Sequence, residues 1–452
     1  MELFGTAGIR GAVDERVTPE LALSVGRAAG QDGGEFVVGH DGRVTSPALA
    51  DAVVSGLESV GAQVVWVGQV PTPALAYATS GRRGVMVTAS HNPPADNGLK
   101  LFVDGQEYGD EAETAVEDRV QAGVEPAPWD AWSDTITEDV LATYRSAVVD
   151  YARGFGADPE RLTVAVDCGN GMGGVATPQV LRGIGADVVS TEANVDGHFP
   201  ARESKPTPET LGAFSRFVAA TGADLGVAHD GDADRIVVVD GDGEVVHEDT
   251  VVAMLAEQYT AAAAVDDPVV VTTPNASGRI DERVEAAGGR VERVRLGALH
   301  EGIARERRGA MSDTEVVFAA EPWKHIHPAF GGWIDGVVSA AVLTRLVAAD
   351  GLAKRRAAIT ERPYRKVAVD CPDSHKPAAM ATVESELPDA FPESEVATDH
   401  GVRLTFPDDS WALVRPSGTE PYVRIYAESD EVDALVEDVR AVVESAVETV
   451  ED

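Results

Sequence analysis

The sequence predicts an α/β protein, with three related mixed-sheet α/β domains followed by a smaller α+β C-terminal domain. Three observations carry that prediction. The chain has 452 residues, far more than one ordinary core needs. A strand, helix and glycine-punctuated return strand recur three times along it. Each repeat is followed by another apolar strand ending in a loop of unusual chemistry, and strand ends are where α/β sheets gather ligands.

The first repeat runs from Phe36-Val37-Val38-Gly39 through a helical stretch to Val60-Gly61-Ala62-Gln63-Val64-Val65. The second runs from Thr163-Val164-Ala165-Val166 through a glycine-rich loop and a helix to Ile184-Gly185-Ala186-Asp187-Val188-Val189. The third runs from Val269-Val270-Val271-Thr272 to Ala287-Gly288-Gly289-Arg290-Val291. Such βαβ-like units imply mixed or parallel sheets covered by helices. The repeat stops near residue 360, so the expected domains are 1–150, 151–250, 251–360 and, unrelated to these, 361–452.

Composition narrows the function classes. Hydrophobic residues make up 44% and charged residues 25%, as in ordinary globular protein. The chain opens directly with Met1-Glu2-Leu3-Phe4 and has no apolar run long enough to span a bilayer, so a cytoplasmic protein is expected. Cys168 and Cys371 supply neither a disulfide framework nor metal-ligand spacing. Against 37 basic residues stand 76 acidic ones, a net charge of −39 that repels nucleic acid and anionic membranes. Only six residues are lysine, and the acidic ones are spread along the chain. That pattern suits a salt-rich cytoplasm, where counterions screen self-repulsion.

The loops after the repeats carry the chemistry. In Asp230-Gly231-Asp232-Ala233-Asp234 the carboxylates alternate along an extended loop, so three oxygens can converge on one hard cation. A calcium loop is excluded, because Arg235 stands where its glycine belongs and Gly241 where its glutamate belongs. A solvated acidic turn is the alternative. Thr88-Ala89-Ser90-His91-Asn92-Pro93 puts a hydroxyl at a strand end with Lys100 ten residues on; serine can carry a group covalently while lysine or histidine moves a proton. A capping turn is the alternative here. Arg415-Pro416-Ser417-Gly418-Thr419, with Arg424 beyond, offers hydroxyls, glycine amides and arginine forks to a phosphate, yet it is no Walker loop. Gly5-Thr6-Ala7-Gly8-Ile9-Arg10 reads as a tight turn presenting Arg10.

In order and spacing these blocks closely resemble the α-D-phosphohexomutase family of phosphoglucomutases, phosphomannomutases and phosphoglucosamine mutases, and the resemblance covers the whole chain. It implies four domains around one central cleft, with Ser90 as a phosphoserine whose oxygen joins Asp230, Asp232 and Asp234 around one Mg²⁺ ion. It further implies Arg10 and Lys100 beside the transferring phosphoryl group, Lys100 or His91 in proton transfer, and Arg235 steadying the phosphoserine. Arg415, Ser417, Gly418, Thr419 and Arg424 would grip the substrate's other phosphate. A sugar bisphosphate would be intermediate and activator, and the partner a small phosphosugar bound by a monomer or homodimer.

The third loop departs from the family pattern. Where many members have glutamate, a variable residue, serine, glycine and histidine, this chain has Glu321-Pro322-Trp323-Lys324-His325. Glu321, Trp323, Lys324 and His325 are the candidate sugar-binding residues. The Glu321-Pro322, Ile326-His327 and Asp335-Gly336 pairs resemble archaeal-type phosphoglucosamine mutases, so glucosamine phosphate is the expected substrate, with mannose, glucose or pentose phosphates as alternatives. Two other classes stand beside the mutase: a phosphatase using Asp230 as nucleophile, and a non-catalytic sugar-phosphate sensor.

Overall fold

The computed structural model describes residues 3–5, 8–310, 313–417 and 420–451. It divides into two compact units, Met1–Leu255 with Val316–Ala357, and Ala256–Glu315 with Ala358–Asp452. The expected third domain, 251–360, is therefore shared between them.

In the first unit, strands β1 (Ile9–Ala12), β2 (Glu35–His40), β3 (Gln63–Gln69), β4 (Arg83–Val87), β5 (Asp96–Val103), β6 (Gln106–Glu107) and β7 (Thr135–Thr137) form one sheet. Its order is β1-β5-β4-β2-β3-β7, with β6 pairing to β5. The βαβ unit predicted from the first repeat is present, because β2 and β3 pair in parallel and helix Ser46–Ser59 connects them. Apolar residues on both strands leave no face for water: Phe36, Val38 and Val64 join Leu49, Val53 and Leu57 of that helix in one buried core. The antiparallel β4–β5 pair sets Val87 against Leu99, so the Ser90 loop and Lys100 emerge at the same end of the sheet.

The second repeat gives β8 (Thr163–Asp167), β9 (Asp187–Thr191), β10 (Leu225–Ala228) and β11 (Val237–Asp240), ordered β11-β10-β8-β9. Strands β8 and β9 are parallel, whereas β10 and β11 are antiparallel, so the aspartate loop is the turn of a β-hairpin-like pair. The third repeat is again parallel, β12 (Asp267–Thr272) beside β13 (Arg290–Arg293), and lies in the second unit. Strands β14 (Thr314–Glu321) and β15 (Lys324–Ile326) make a tight antiparallel turn that places Glu321 opposite Lys324. Helix Gly336–Asp350 follows, buried along its length from Gly336 to Val347.

The C-terminal domain is α+β as expected. Strands β16 (Tyr364–Asp370), β17 (Glu395–Ala397), β18 (Val402–Thr405), β19 (Trp411–Pro416) and β20 (Tyr422–Glu428) form an antiparallel sheet ordered β16-β20-β19-β18-β17. Helices Lys376–Ala390 and Val432–Glu451 contribute Ala379, Val383, Val439 and Val443 to its core. Among the described residues no helix is long and apolar enough to cross a membrane.

Candidate active site

Ser90 is fully buried, and its Oγ donates a 2.7 Å hydrogen bond to Asp230 Oδ2. Two neighbours hold it there. The Thr88 hydroxyl accepts from the Ser90 amide at 2.9 Å and donates to Asp41 at 2.7 Å. Arg43, whose side chain has no exposure, donates to the carbonyls of Ser90, Asn92, Pro93 and Asp96 at 2.6–3.0 Å and pairs with Asp41 at 3.2 Å. Sequence reasoning missed Asp41, Arg43 and Thr88. The available signal was Asp41-Gly42-Arg43 at the end of β2, one strand over from the serine loop.

Asp230, Asp232 and Asp234 are all buried, and one carboxylate oxygen from each lies within 4.8 Å of the others. Asp232 Oδ1 and Asp234 Oδ1 have no hydrogen-bond partner. Buried acceptors left unsatisfied cost free energy, and a hard divalent cation takes such oxygens as ligands, so the residues present fit a metal. Asp232 is further held by the Thr72 hydroxyl at 2.6 Å. The second and first loops approach so closely that a Cβ on Gly231 would meet the Ser90 carbonyl oxygen at 2.6 Å.

The charges around this cluster are matched unequally. Burial, then Asp234 and Asp232, push the Asp230 carboxyl well above the usual range. Burial raises Asp234 too, but Lys100, Arg235 and Lys324 outweigh it and hold Asp234 below that range. Lys100 Nζ stands 2.9 Å from Asp234 Oδ2, 3.4 Å from Glu107 and 3.9 Å from Asp232. Burial disfavours its charge, yet Asp234, Glu107 and Asp232 more than compensate, and Lys100 is firmly cationic. Arg235 Nε lies 3.7 Å from Asp230 and 3.8 Å from Asp234. His91 Nδ1 is 3.5 Å from Ser90 Oγ; burial, Arg235 and Arg10 lower its pKa to about 2. Arg10 sits on β1 opposite Gly98, with a buried, unpartnered Nε. The structure thus brings Arg10, Ser90, His91, Lys100, the three aspartates and Arg235 together.

The third loop docks on the second. Lys324 bridges to Arg235 as a strand neighbour, and the Ile236 amide donates to the Trp323 carbonyl at 3.0 Å. Lys324 Nζ reaches Glu321 at 3.4 Å, and both side chains keep some exposure. The other two candidates point elsewhere. Trp323 packs against the core that contains Phe214, Val237 and Val239. His325 is buried beside Phe318, bonded to Ser339 Oγ at 3.0 Å, because alternation along β15 turns it to the opposite face from Lys324. The sequence missed that alternation.

In the second unit Arg415 and Arg424 are directly opposed on β19 and β20. Like charges so placed repel unless an anion lies between them, and Arg415 Nε is buried without a partner. Arg424 rests on Glu420 at 2.8 Å and the Tyr422 hydroxyl at 2.6 Å. The Ser417 amide donates to the Tyr422 carbonyl at 3.0 Å, and Lys376 Nζ donates to the Ser417 carbonyl at 2.7 Å. Gly418 and Thr419 lie outside the described residues.

A strand-end serine set against three buried carboxylates and ringed by cations defines the phosphoryl-transfer class of α/β enzyme. The phosphoglucomutase/phosphomannomutase family models match this chain at residues 1–126 (α/β/α domain I), 144–243 (α/β/α domain II) and 367–446 (C-terminal domain). A phosphopentomutase from Thermococcus kodakarensis is 42% identical over 437 residues, covering 95% of this chain and 94% of the relative. A probable phosphoglucosamine mutase from Methanopyrus kandleri is 41% identical over 439 residues, covering 94% of each. The crystal structure of a phosphoglucomutase/phosphomannomutase family protein from Burkholderia thailandensis aligns with a TM-score of 0.85 at 26% identity, covering 100% of this chain and 98% of the other. The chain belongs to the α-D-phosphohexomutase family of phosphoglucomutases and phosphomannomutases, and it is a phosphosugar mutase, an isomerase.

Proposed function

We propose that the chain interconverts a sugar 1-phosphate and sugar 6-phosphate through a phosphoserine at Ser90 and a sugar bisphosphate. The observation that carries this is the 2.7 Å bond from Ser90 Oγ to Asp230, inside a cluster whose other two aspartates keep unpartnered buried oxygens. One Mg²⁺ ion held by Asp230, Asp232, Asp234 and the Ser90 phosphate would offset charge on the transferring phosphoryl group.

The residues divide the remaining work. In the first half-reaction the phosphoserine O–P bond breaks as the free sugar hydroxyl forms its own bond to phosphorus, and the hydroxyl's proton ends on the departing Ser90 oxygen. Arg10, Lys100 and Arg235 lie against the oxygens of that group and stabilise its charge. Transfer back from the other position regenerates the phosphoserine: the sugar O–P bond breaks, Ser90 Oγ bonds to phosphorus, and the Ser90 proton passes to the departing sugar oxygen, with Lys100 or His91, whose Nδ1 is 3.5 Å from Ser90 Oγ, relaying it. Arg415, Ser417, Gly418, Thr419 and Arg424 hold whichever phosphate is not reacting, and added bisphosphate restores enzyme that has lost its phosphate.

Glu321 is the sugar-reading carboxylate, which for glucosamine phosphate makes a charge-assisted bond to the amine. The Lys324–Glu321 contact at 3.4 Å favours a second reading, a neutral sugar such as a pentose phosphate, because the carboxylate already has a cation. The 42% identity with a phosphopentomutase supports that reading.

One assay tests both levels. Purified protein in high salt, primed with bisphosphate, is given glucosamine, mannose and glucose 6-phosphates and ribose 5-phosphate, beside Ser90→Ala. We expect a phosphate adduct by intact mass that Ser90→Ala lacks, together with loss of turnover. Full activity in Ser90→Ala sinks the phosphoserine; the best kcat/KM in the panel assigns the sugar.

A further inference from the structure

Lysine is scarce in this chain, six among 37 basic residues, and its placement is selective. Lys100 contacts Asp234, and Lys324 contacts Glu321 beside the metal loop. In the second unit Lys376 holds the Ser417 carbonyl, and Lys366 Nζ stands 5.7 Å from the centre of the Tyr426 ring that Arg415 also covers. Only Lys354, 75% exposed and paired with Asp350, stands apart from these loops. Arginine shares these loops and supplies most positive charge elsewhere, while the lysines sit where a compact, strongly hydrated point charge on a flexible stem has a use.

The sixth lysine is Lys205, and no motif includes it. Its peptide is stapled to both halves of the site. Arg202 pairs with Asp167 at 2.7 Å and donates to the His229 carbonyl, at the root of the metal loop, at 2.7 Å. The Ser204 hydroxyl donates to the Asn92 carbonyl, in the serine loop, at 2.9 Å. Lys205 is exposed, and its own carbonyl accepts from Thr210 at 3.0 Å. In a chain with 76 acidic residues, no carboxylate among the described residues lies within 4.0 Å of its ammonium. Its charge acts both on the Glu209 carboxylate and on the His91 ring, there beside those of Arg235 and Arg10.

We propose that Lys205 is a further phosphate-binding residue of this mutase, meeting the phosphoryl oxygens of the sugar phosphate as it reaches Ser90 and of the bisphosphate while it is bound. The inference rests on the phosphoserine reading. A cation on a long flexible stem, on a segment anchored to both loops, can follow a phosphate through changes of orientation.

The test compares Lys205→Gln, Lys205→Arg, Lys354→Gln and Ser90→Ala at one fixed KCl concentration, since screening changes every such contact. In Lys205→Gln we expect KM for sugar phosphate and the half-activating bisphosphate concentration to rise roughly tenfold, as for one lost charge-assisted contact, with kcat within a factor of about two. Lys205→Arg should recover most of the loss, Lys354→Gln should match the parent, and intact mass should show Lys205→Gln still phosphorylated. Lys205→Gln behaving like Lys354→Gln, or Lys205→Arg as impaired as Lys205→Gln, overturns the proposal. Turnover surviving in Ser90→Ala overturns the phosphoserine reading instead, so the two failures are separable.

Discussion

Ser90 has a φ of 50°, a left-handed conformation that a serine adopts only where its surroundings hold it. Four carbonyls of its loop bind the single guanidinium of Arg43, and Thr88 and Asp41 secure its amide. The strain is thus offset by buried hydrogen bonds made before any substrate arrives. A second residue-scale consequence concerns pH. Burial lowers the His325 pKa to about 3, and His327, on the same Ser339 hydroxyl, is lowered as well. Below pH about 6.5 the unfolded chain takes up a proton that the folded chain refuses, so stability falls as pH drops from there toward 3. The slope is up to about 1.4 kcal/mol per pH unit for one such histidine. Urea midpoints between pH 6.5 and 4.5 should fall less in His325→Gln than in the parent; parallel slopes would show that His325 protonates in the fold.

At the scale of elements, the site depends on backbone segments meeting without side chains between them. Gly231 carries the metal loop against the Ser90 carbonyl, and Gly336 starts a buried helix whose added Cβ would meet the Arg235 carbonyl at 2.5 Å. Asp335 caps that helix by accepting from the Val337 and Val338 amides at 3.0 and 2.9 Å, and Tyr144 and Trp333 secure the cap. Gly231→Ala should therefore cost about 1–3 kcal/mol of overpacking and, by moving serine and metal loops apart, on the order of 100-fold in kcat/KM. Activity and thermal melts of the same preparation measure both. Activity near the parent's would mean that the loop contact does not set the reacting geometry.

For the whole molecule, the net charge of −39 makes self-repulsion the dominant long-range term. Many ion pairs are exposed, such as Arg153–Asp150 and Lys354–Asp350, and pairs of that kind contribute little each. Stability should accordingly depend on screening, with the thermal midpoint rising as KCl goes from low to molar concentration. A flat or falling midpoint would show that the charges are spaced widely enough to be tolerated without salt.

The order of apolar runs by itself determined the three strand–helix–strand repeats and the end of that repeat before the α+β C-terminal sheet, because periodicity and glycine punctuation are local properties that survive without tertiary contacts. It also marked Ser90, Lys100 and the three aspartates, whose chemistry is written in short motifs. Tertiary structure alone decided the rest. Arg43 lies 47 residues from Ser90 in the chain, and Lys205 belongs to no motif; each acquires its setting only when separate strands and loops converge. In the third loop, strand alternation and packing decided the surroundings of each side chain: Lys324 faces Glu321, His325 is buried on the opposite face, and the half-buried Trp323 lies against an apolar core that only the folded chain supplies.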